Sequence, residues 1–401
     1  MPKMLASNHT YTPPIWLRDG LAMTLHGAWW TGARWLEQAN DRHHYRPVTV
    51  PGADGIQLHG WLTPLAENQR GTIIATYGIT GAIDNQWYLR LFAQHARDRG
   101  YAVLLLDWRA HGKSVEHSPV FTSDGIYEGR DFLCAANWLK QKNYPVPLFF
   151  YGYSLGGQLA LWGAKYSSEF IHNFAHNLTQ KSEQSSRKTP LDNDHSKDYF
   201  DSNYPHLQPQ DIGGVTTLAP SLHSTRSLQY LATHDIGRRI DRSITRNIRD
   251  FVRNIHHHHP DDVDLSKLDR VHTIWDYDRE YAIGPLGFAT VEDYFDASSP
   301  LHFLPQLTLP TQIIYAANDP MFDPTLTDDL RHACADNPAI DLVITQHGGH
   351  IAHRSDRACQ QRYGDPDPWW AIHRSLDWID RQIAERDRIS PDARDAIVAS
   401  S

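Results

Sequence analysis

One stretch, LFFYGYSLGGQLALWG at residues 148–163, restricts the possible folds of this chain more than any other. An apolar run of strand character ends in Gly152-Tyr153-Ser154-Leu155-Gly156-Gly157, and a helical pattern begins with no intervening loop. A serine on so sharp a strand-to-helix turn is forced into a strained backbone conformation, and glycines on either side let neighbouring chain pass close. The turn also needs a strand whose C-terminal end is open and a helix that packs back on the sheet. Both point to a parallel α/β architecture.

The rest of the chain agrees with that demand. Nearly continuous apolar runs recur at GTIIATYG (71–78), YAVLLLDW (101–108), GGVTTLAP (213–220), TQIIYAAND (311–319) and IDLVITQHGG (340–349). Such runs are expected of strands buried on both faces. Helical patterns lie between them at about 86–98, 125–142, 155–169, 324–336 and 368–385; in the last, Trp369, Ile372, Leu376, Ile379 and Ile383 recur at steps of three or four. RPVTV and IQLHGWL flank PGADG and predict an antiparallel hairpin at one edge. The expected fold is a mostly parallel eight-stranded sheet flanked by helices, with a helical cap inserted after the sixth strand.

The predicted organisation is an N-terminal helical arm over 1–40, a core from 41–220 and 301–386, a cap over 221–300 and a tail over 387–401. Residues 175–211 are polar and nearly free of aliphatic side chains, and read as a flexible surface insertion. With 40% hydrophobic residues, 13 Trp and 18 Tyr, the chain has ample material for a core. Its net charge of −9 offers no footprint for nucleic acid. The three cysteines, Cys134, Cys334 and Cys359, share no metal-ligand spacing and suit a reducing compartment. No run is long enough to span a bilayer and no secretory signal is evident, so a cytoplasmic protein is expected, with at most peripheral membrane contact through the aromatic N-terminal stretch.

A serine hydroxyl is a weak nucleophile unless a base takes its proton. Partners in this architecture follow in the order serine, acid, histidine, each beyond a later strand. Asp319 ends the run IIYAAND, and His350 follows ITQHGG, whose two glycines let a loop carry an imidazole back over the strand ends. His347 is the alternative base and Asp323 the alternative acid, although Asp323 is better placed to cap the next helix. An oxyanion needs backbone donors: the N–H of Leu155, just after the serine, and that of Ile79 in YGITG. Asp107, Arg109 and His111 in DWRAHGKS precede the serine and read as turn-stabilising. The tract HHHHPDDVD (256–264) reads as a solvated cap loop rather than a metal site.

The chain resembles the α/β-hydrolases, and more narrowly their YheT-like carboxylesterase branch. The resemblance rests on PPIWLRDGLAMTL, YGITGAIDNQW, GYSLGGQLALWG, FATVEDYFDASSPLHFLPQLTLPTQIIYAANDPMFD and HGGHIA. It implies a Ser154–Asp319–His350 triad acting on a small-molecule ester, without metal or organic cofactor. Tyr77-Gly78 stands where the family's oxyanion loop usually begins His-Gly. The implied reaction is ester hydrolysis through an acyl-enzyme, with apolar or lipid-like acyl groups; acyl transfer and a catalytically silent scaffold are the alternatives. Trp87, Tyr153, Trp275, Tyr277 and Tyr281 are candidate pocket aromatics, but each is expected to be core rather than a ligand contact, and none is assigned to the site.

Overall fold

Eight short apolar runs pair into one sheet. In the computed structural model, which describes residues 10–38, 41–184 and 203–388, the strands are β1 (Arg46–Pro51), β2 (Gln57–Leu62), β3 (Thr72–Thr76), β4 (Ala102–Leu106), β5 (Leu148–Tyr153), β6 (Ile212–Leu218), β7 (Thr311–Ala316) and β8 (Ile340–Thr345). Their order across the sheet is β1-β2-β4-β3-β5-β6-β7-β8. The β1–β2 hairpin and the β2–β4 pair are antiparallel, and all other pairs are parallel. Every residue of β3, β4, β5, β6 and β7 is buried, the physical counterpart of their unbroken apolar sequence.

The principal helices are α1 (Gly20–Leu25), α2 (Trp87–Asp98), α3 (Glu128–Gln141), α4 (Leu155–Gln184), α5 (Ser224–Ala232), α6 (Asp235–His258), α7 (Val291–Ser298), α8 (Leu326–Cys334) and α9 (Trp370–Arg388). The apolar stripe of α9 is buried as its spacing predicts, with Ile372, Leu376 and Ile379 at 0% exposure. β5 lies in the interior of the sheet, so the helix that follows it starts near the middle of the molecule. That is where a residue at the β5–α4 turn is surrounded by loops from neighbouring strands.

Two expectations are corrected. The helix after β5 runs to Gln184, well into the polar segment expected to be a loop; residues 185–202 of that segment lie outside the described residues. The histidine tract is not a loop: His256, His257 and His258 form the last turn of α6. His256 and His259 contact the Val263 and Val115 carbonyls at 2.7 and 2.6 Å. The candidate aromatics pack in or against hydrophobic clusters, as expected of each: Tyr277 and Tyr281 in a cluster between the insertion and Ala110, Val115 and Phe121, Trp275 against a second one, and Tyr153 and Trp87 in or against the main core.

The helical insertion follows β6, with α5, α6 and α7 ahead of β7. N-terminal residues from Tyr11 onward pack against the opposite side of the strand ends, burying Leu17 and Met23 while Ile15 and Trp16 stay exposed. No helix among the described residues is long and apolar enough to cross a membrane.

Candidate active site

Ser154 occupies the turn with φ +54°, a left-handed conformation that costs a non-glycine residue of order 1 kcal/mol or more. Neighbouring chain holds it there. Its N–H donates to the Leu218 carbonyl at 3.0 Å, and its own carbonyl accepts from Gly157 N at 2.9 Å and Ser221 N at 3.3 Å. Gly156 is needed because a Cβ there would lie 2.3 Å from the Tyr77 carbonyl oxygen. The β3 loop can thus press directly on the start of α4, and its Gly78 sits where a Cβ would be 3.3 Å from Ser154 Oγ.

The loops after β7 and β8 bring the other two residues to the serine. The Ser154 hydroxyl is 2.9 Å from His350 Nε2, and His350 Nδ1 is 2.8 Å from Asp319 Oδ2. The histidine side chain is 12% exposed and the aspartate 2%. An imidazole that donates from Nδ1 to the carboxylate has its Nε2 lone pair free to accept the hydroxyl proton. The second carboxylate oxygen accepts from Met321 N at 2.8 Å, which fixes the acid's rotamer. Phe322 closes edge-on over the imidazole at 5.3 Å between centroids.

The alternatives are engaged elsewhere. His347 Nδ1 contacts the Arg18 carbonyl at 2.9 Å. Asp323 accepts from Thr325 N and Oγ1 at 2.9 and 2.7 Å, as a carboxylate ahead of a helix does, and it pairs with Arg226. Burial acts to raise the Asp323 carboxyl, but these bonds and the Arg226 charge hold it below the usual carboxylate range.

Ile79 and Leu155 flank the serine through the Gly78 contact and the turn itself. Neither backbone N–H donates to a protein acceptor among the described residues. The loop carrying Ile79 is braced by residues whose role the sequence alone hid. Tyr77 O–H donates to Asp107 Oδ1 at 2.5 Å, and Ile83 N–H reaches the same oxygen at 3.0 Å. Asp107 Oδ2 accepts from Lys113 N at 3.1 Å and faces His59 Nδ1 at 2.8 Å. Burial and the adjacent carboxylate raise the Tyr77 phenol well above its ordinary value, so it remains a donor. His111 stacks on Trp108 with centroids 3.5 Å apart, and burial pushes its imidazole down to about 4. In its neutral form it donates from Nδ1 to the Arg109 carbonyl at 3.0 Å and accepts the Thr80 N–H at Nε2 at 3.2 Å. Arg109 itself forks onto Asp131 at 2.8 and 2.9 Å in a fully buried pair.

The histidine loop has a second set of supports from far away in the chain. His350 N–H donates to Thr24 Oγ1 at 2.8 Å, and the Thr24 hydroxyl donates to the Gly20 carbonyl at 2.7 Å. Gly349 N–H donates to Asn318 Oδ1 at 3.1 Å, while Asn318 Nδ2 donates to the Arg18 carbonyl at 2.9 Å. α1 and Arg18, two residues ahead of it, thereby tie the acid loop to the histidine loop. Beneath them His353 is fully buried, with Nε2 3.0 Å from Thr345 Oγ1. Burial, with His350 beside it, pushes that imidazole down to about 3.

The one group of metal-ligating type among the described residues is His95, Asp367 and His373. Its two carboxylate oxygens each face one imidazole, at 2.7 and 2.8 Å, and Asp367 also accepts from Trp369 N at 3.0 Å. The carboxylate is shared between imidazoles of α2 and α9 and joins these helices. Burial acts to raise the Asp367 carboxyl, yet the bonds from His373 and His95 hold it far below the usual range.

A hydroxyl at a strained strand–helix turn, a histidine with a buried acid behind it, and two backbone N–H groups that donate to no protein acceptor among the described residues thus meet at one end of the sheet. The family model for the alpha/beta hydrolase fold matches residues 71–355, and the chain belongs to that family. Among its relatives are two proteins named "Putative esterase". One, slr0264 of Synechocystis sp. (strain ATCC 27184 / PCC 6803 / Kazusa), is 41% identical over 93% of this chain and 95% of its own length. The other, YheT of Escherichia coli (strain K12), is 20% identical over 77% and 78%. Monoacylglycerol lipase ABHD2 of Homo sapiens is 23% identical over 94% of this chain and 79% of its own length.

Proposed function

We propose that this enzyme hydrolyses carboxylic esters through an acyl-enzyme on Ser154. The observation that carries the proposal is the unbroken relay Ser154 Oγ–His350 Nε2 (2.9 Å) and His350 Nδ1–Asp319 Oδ2 (2.8 Å). His350 takes the hydroxyl proton as Oγ attacks the ester carbonyl, and Asp319 holds the reacting tautomer and balances the imidazolium. The Leu155 and Ile79 N–H groups receive the developing oxyanion, a contribution of roughly 3 kcal/mol per donor. His350 then protonates the departing alcohol. Water repeats the attack on the acyl-enzyme and restores the serine.

The lipase name of one relative supports an apolar acyl group as the preferred acid half. Three free cysteines support a reducing compartment such as the cytoplasm. The test is turnover of p-nitrophenyl esters of graded chain length by the wild type and by Ser154→Ala. The proposal expects turnover that falls at least a thousandfold in the variant. A variant that retains wild-type turnover would place the chemistry elsewhere.

A further inference from the structure

The ester chemistry leaves one cluster of ligand-type side chains without a task. His95 in the last turn of α2, Asp367 just ahead of α9 and His373 in its first turn each offer one donor atom, and the three atoms lie within 4.8 Å of one another. His373 Nε2 is well placed for a hydrogen bond, 2.8 Å from Asp367 Oδ1. His95 Nε2 lies as close, 2.7 Å from Asp367 Oδ2, yet it makes no aligned hydrogen bond among the described residues. Two electron-rich atoms at that distance repel unless a proton or a cation lies between them. Donor atoms that crowd together without pointing at one another have the arrangement of ligands turned toward a common ion.

The surroundings hold these donors in place independently of the cluster. Arg99, just past the end of α2, pairs with Asp377 and Asp380 of α9 at 2.7 and 3.0 Å, which fixes the two helices against each other. Asp367 stands between Pro366 and Pro368, whose rings fix their own φ angles. Its rotamer is set by Trp369 N–H, which donates to Oδ1 at 3.0 Å. The Pro368 carbonyl accepts from Ser355 N–H at 2.8 Å, so this segment is also tied to the chain leaving the histidine loop. Ligands fixed in this way lose little freedom when an ion arrives.

The donor set selects the ion. Magnesium and calcium take oxygen ligands, whereas two imidazole nitrogens and one carboxylate oxygen suit zinc, with water as a fourth ligand. On zinc bonds of about 2.0–2.1 Å, tetrahedral ligand atoms sit about 3.3 Å apart. That spacing falls between the 2.7 Å contact and the 4.8 Å limit found here. His373 is buried, but the His95 and Asp367 side chains keep 14% and 27% exposure, which gives the ion and its water a way in. We infer that His95, Asp367 and His373 bind a divalent transition-metal ion, zinc by its donor set, that staples α2 to α9.

The test titrates zinc calorimetrically into the full chain after chelation and desalting, with thermal melts in zinc and in magnesium. Wild type is expected to bind one zinc more tightly than any other, and to melt several degrees higher with it, a rise that magnesium does not reproduce. His95→Gln and Asp367→Asn should each weaken that binding by at least about a hundredfold, since losing even an outer partner of a ligand costs about ten- to a hundredfold. His257→Gln/His258→Gln, in the exposed last turn of α6, controls for zinc held by the histidine tract and should leave both readings unchanged. Melts without zinc establish that each variant is folded. Wild type that binds no zinc, undiminished binding in folded His95→Gln and Asp367→Asn, or binding lost only in the tract variant would overturn the inference.

Discussion

Thr24 offers a sharp test of how the site is held, because it lies far in sequence from Ser154, Asp319 and His350. Its hydroxyl accepts the His350 N–H at 2.8 Å and donates to the Gly20 carbonyl at 2.7 Å. Thr24→Val keeps the shape and removes both bonds. It strands a part-buried N–H on the residue that must deliver the proton, and an unmet buried donor costs about 1–3 kcal/mol. The loop can escape that cost by moving toward water. The move drags the imidazole off the Ser154–Asp319 line, where a displacement of about 1 Å costs on the order of a hundredfold in rate. Thr24→Val is therefore expected to lower kcat for a p-nitrophenyl ester by roughly ten- to a hundredfold, with KM little changed and melting temperature down by a few degrees. Thr24→Ser, which keeps the hydroxyl, should restore kcat to within about threefold of wild type. Steady-state kinetics with parallel thermal melts would decide it. A valine variant with wild-type kcat would show that the arm does not position the histidine.

Two further predictions follow from the braces on the site. Tyr77→Phe removes the donor that Asp107 receives at 2.5 Å and should reduce kcat about tenfold, because the Ile79 loop loses its anchor; unchanged kcat would assign the loop's order to its glycines alone. The His111 and His353 imidazoles are held down to about 4 and about 3, so the unfolded chain binds their protons first. Stability is therefore lost as pH falls below about 6.5, by up to roughly 1.4 kcal/mol per pH unit for each histidine. Urea unfolding between pH 6.5 and 4.5 would measure this slope. His353→Gln should flatten it, and an equal slope in that variant would refute the assignment.

Much of this architecture was legible because its signals are local. The strands are buried on both faces and so read as unbroken apolar runs, and α9 announced itself through Ile372, Leu376 and Ile379. Chain order singled out Ser154, Asp319 and His350, which follow β5, β7 and β8, and the fold brings these three side chains within hydrogen-bond distance of one another. What stayed hidden was contact across the chain. Thr24 and His350 are 326 residues apart, and no pattern around either one marks the bond. Asp107 read as a turn residue because it precedes the serine; only the fold brings it under Tyr77 and Ile83.

The most direct test of the central claim is fluorophosphonate labelling of the folded enzyme, with the adduct mapped by peptide mass. The account predicts one adduct, on Ser154, abolished by Ser154→Ala and slowed at least a hundredfold by His350→Ala. A folded wild type that remains unlabelled, or that carries its adduct on another residue, would contradict it.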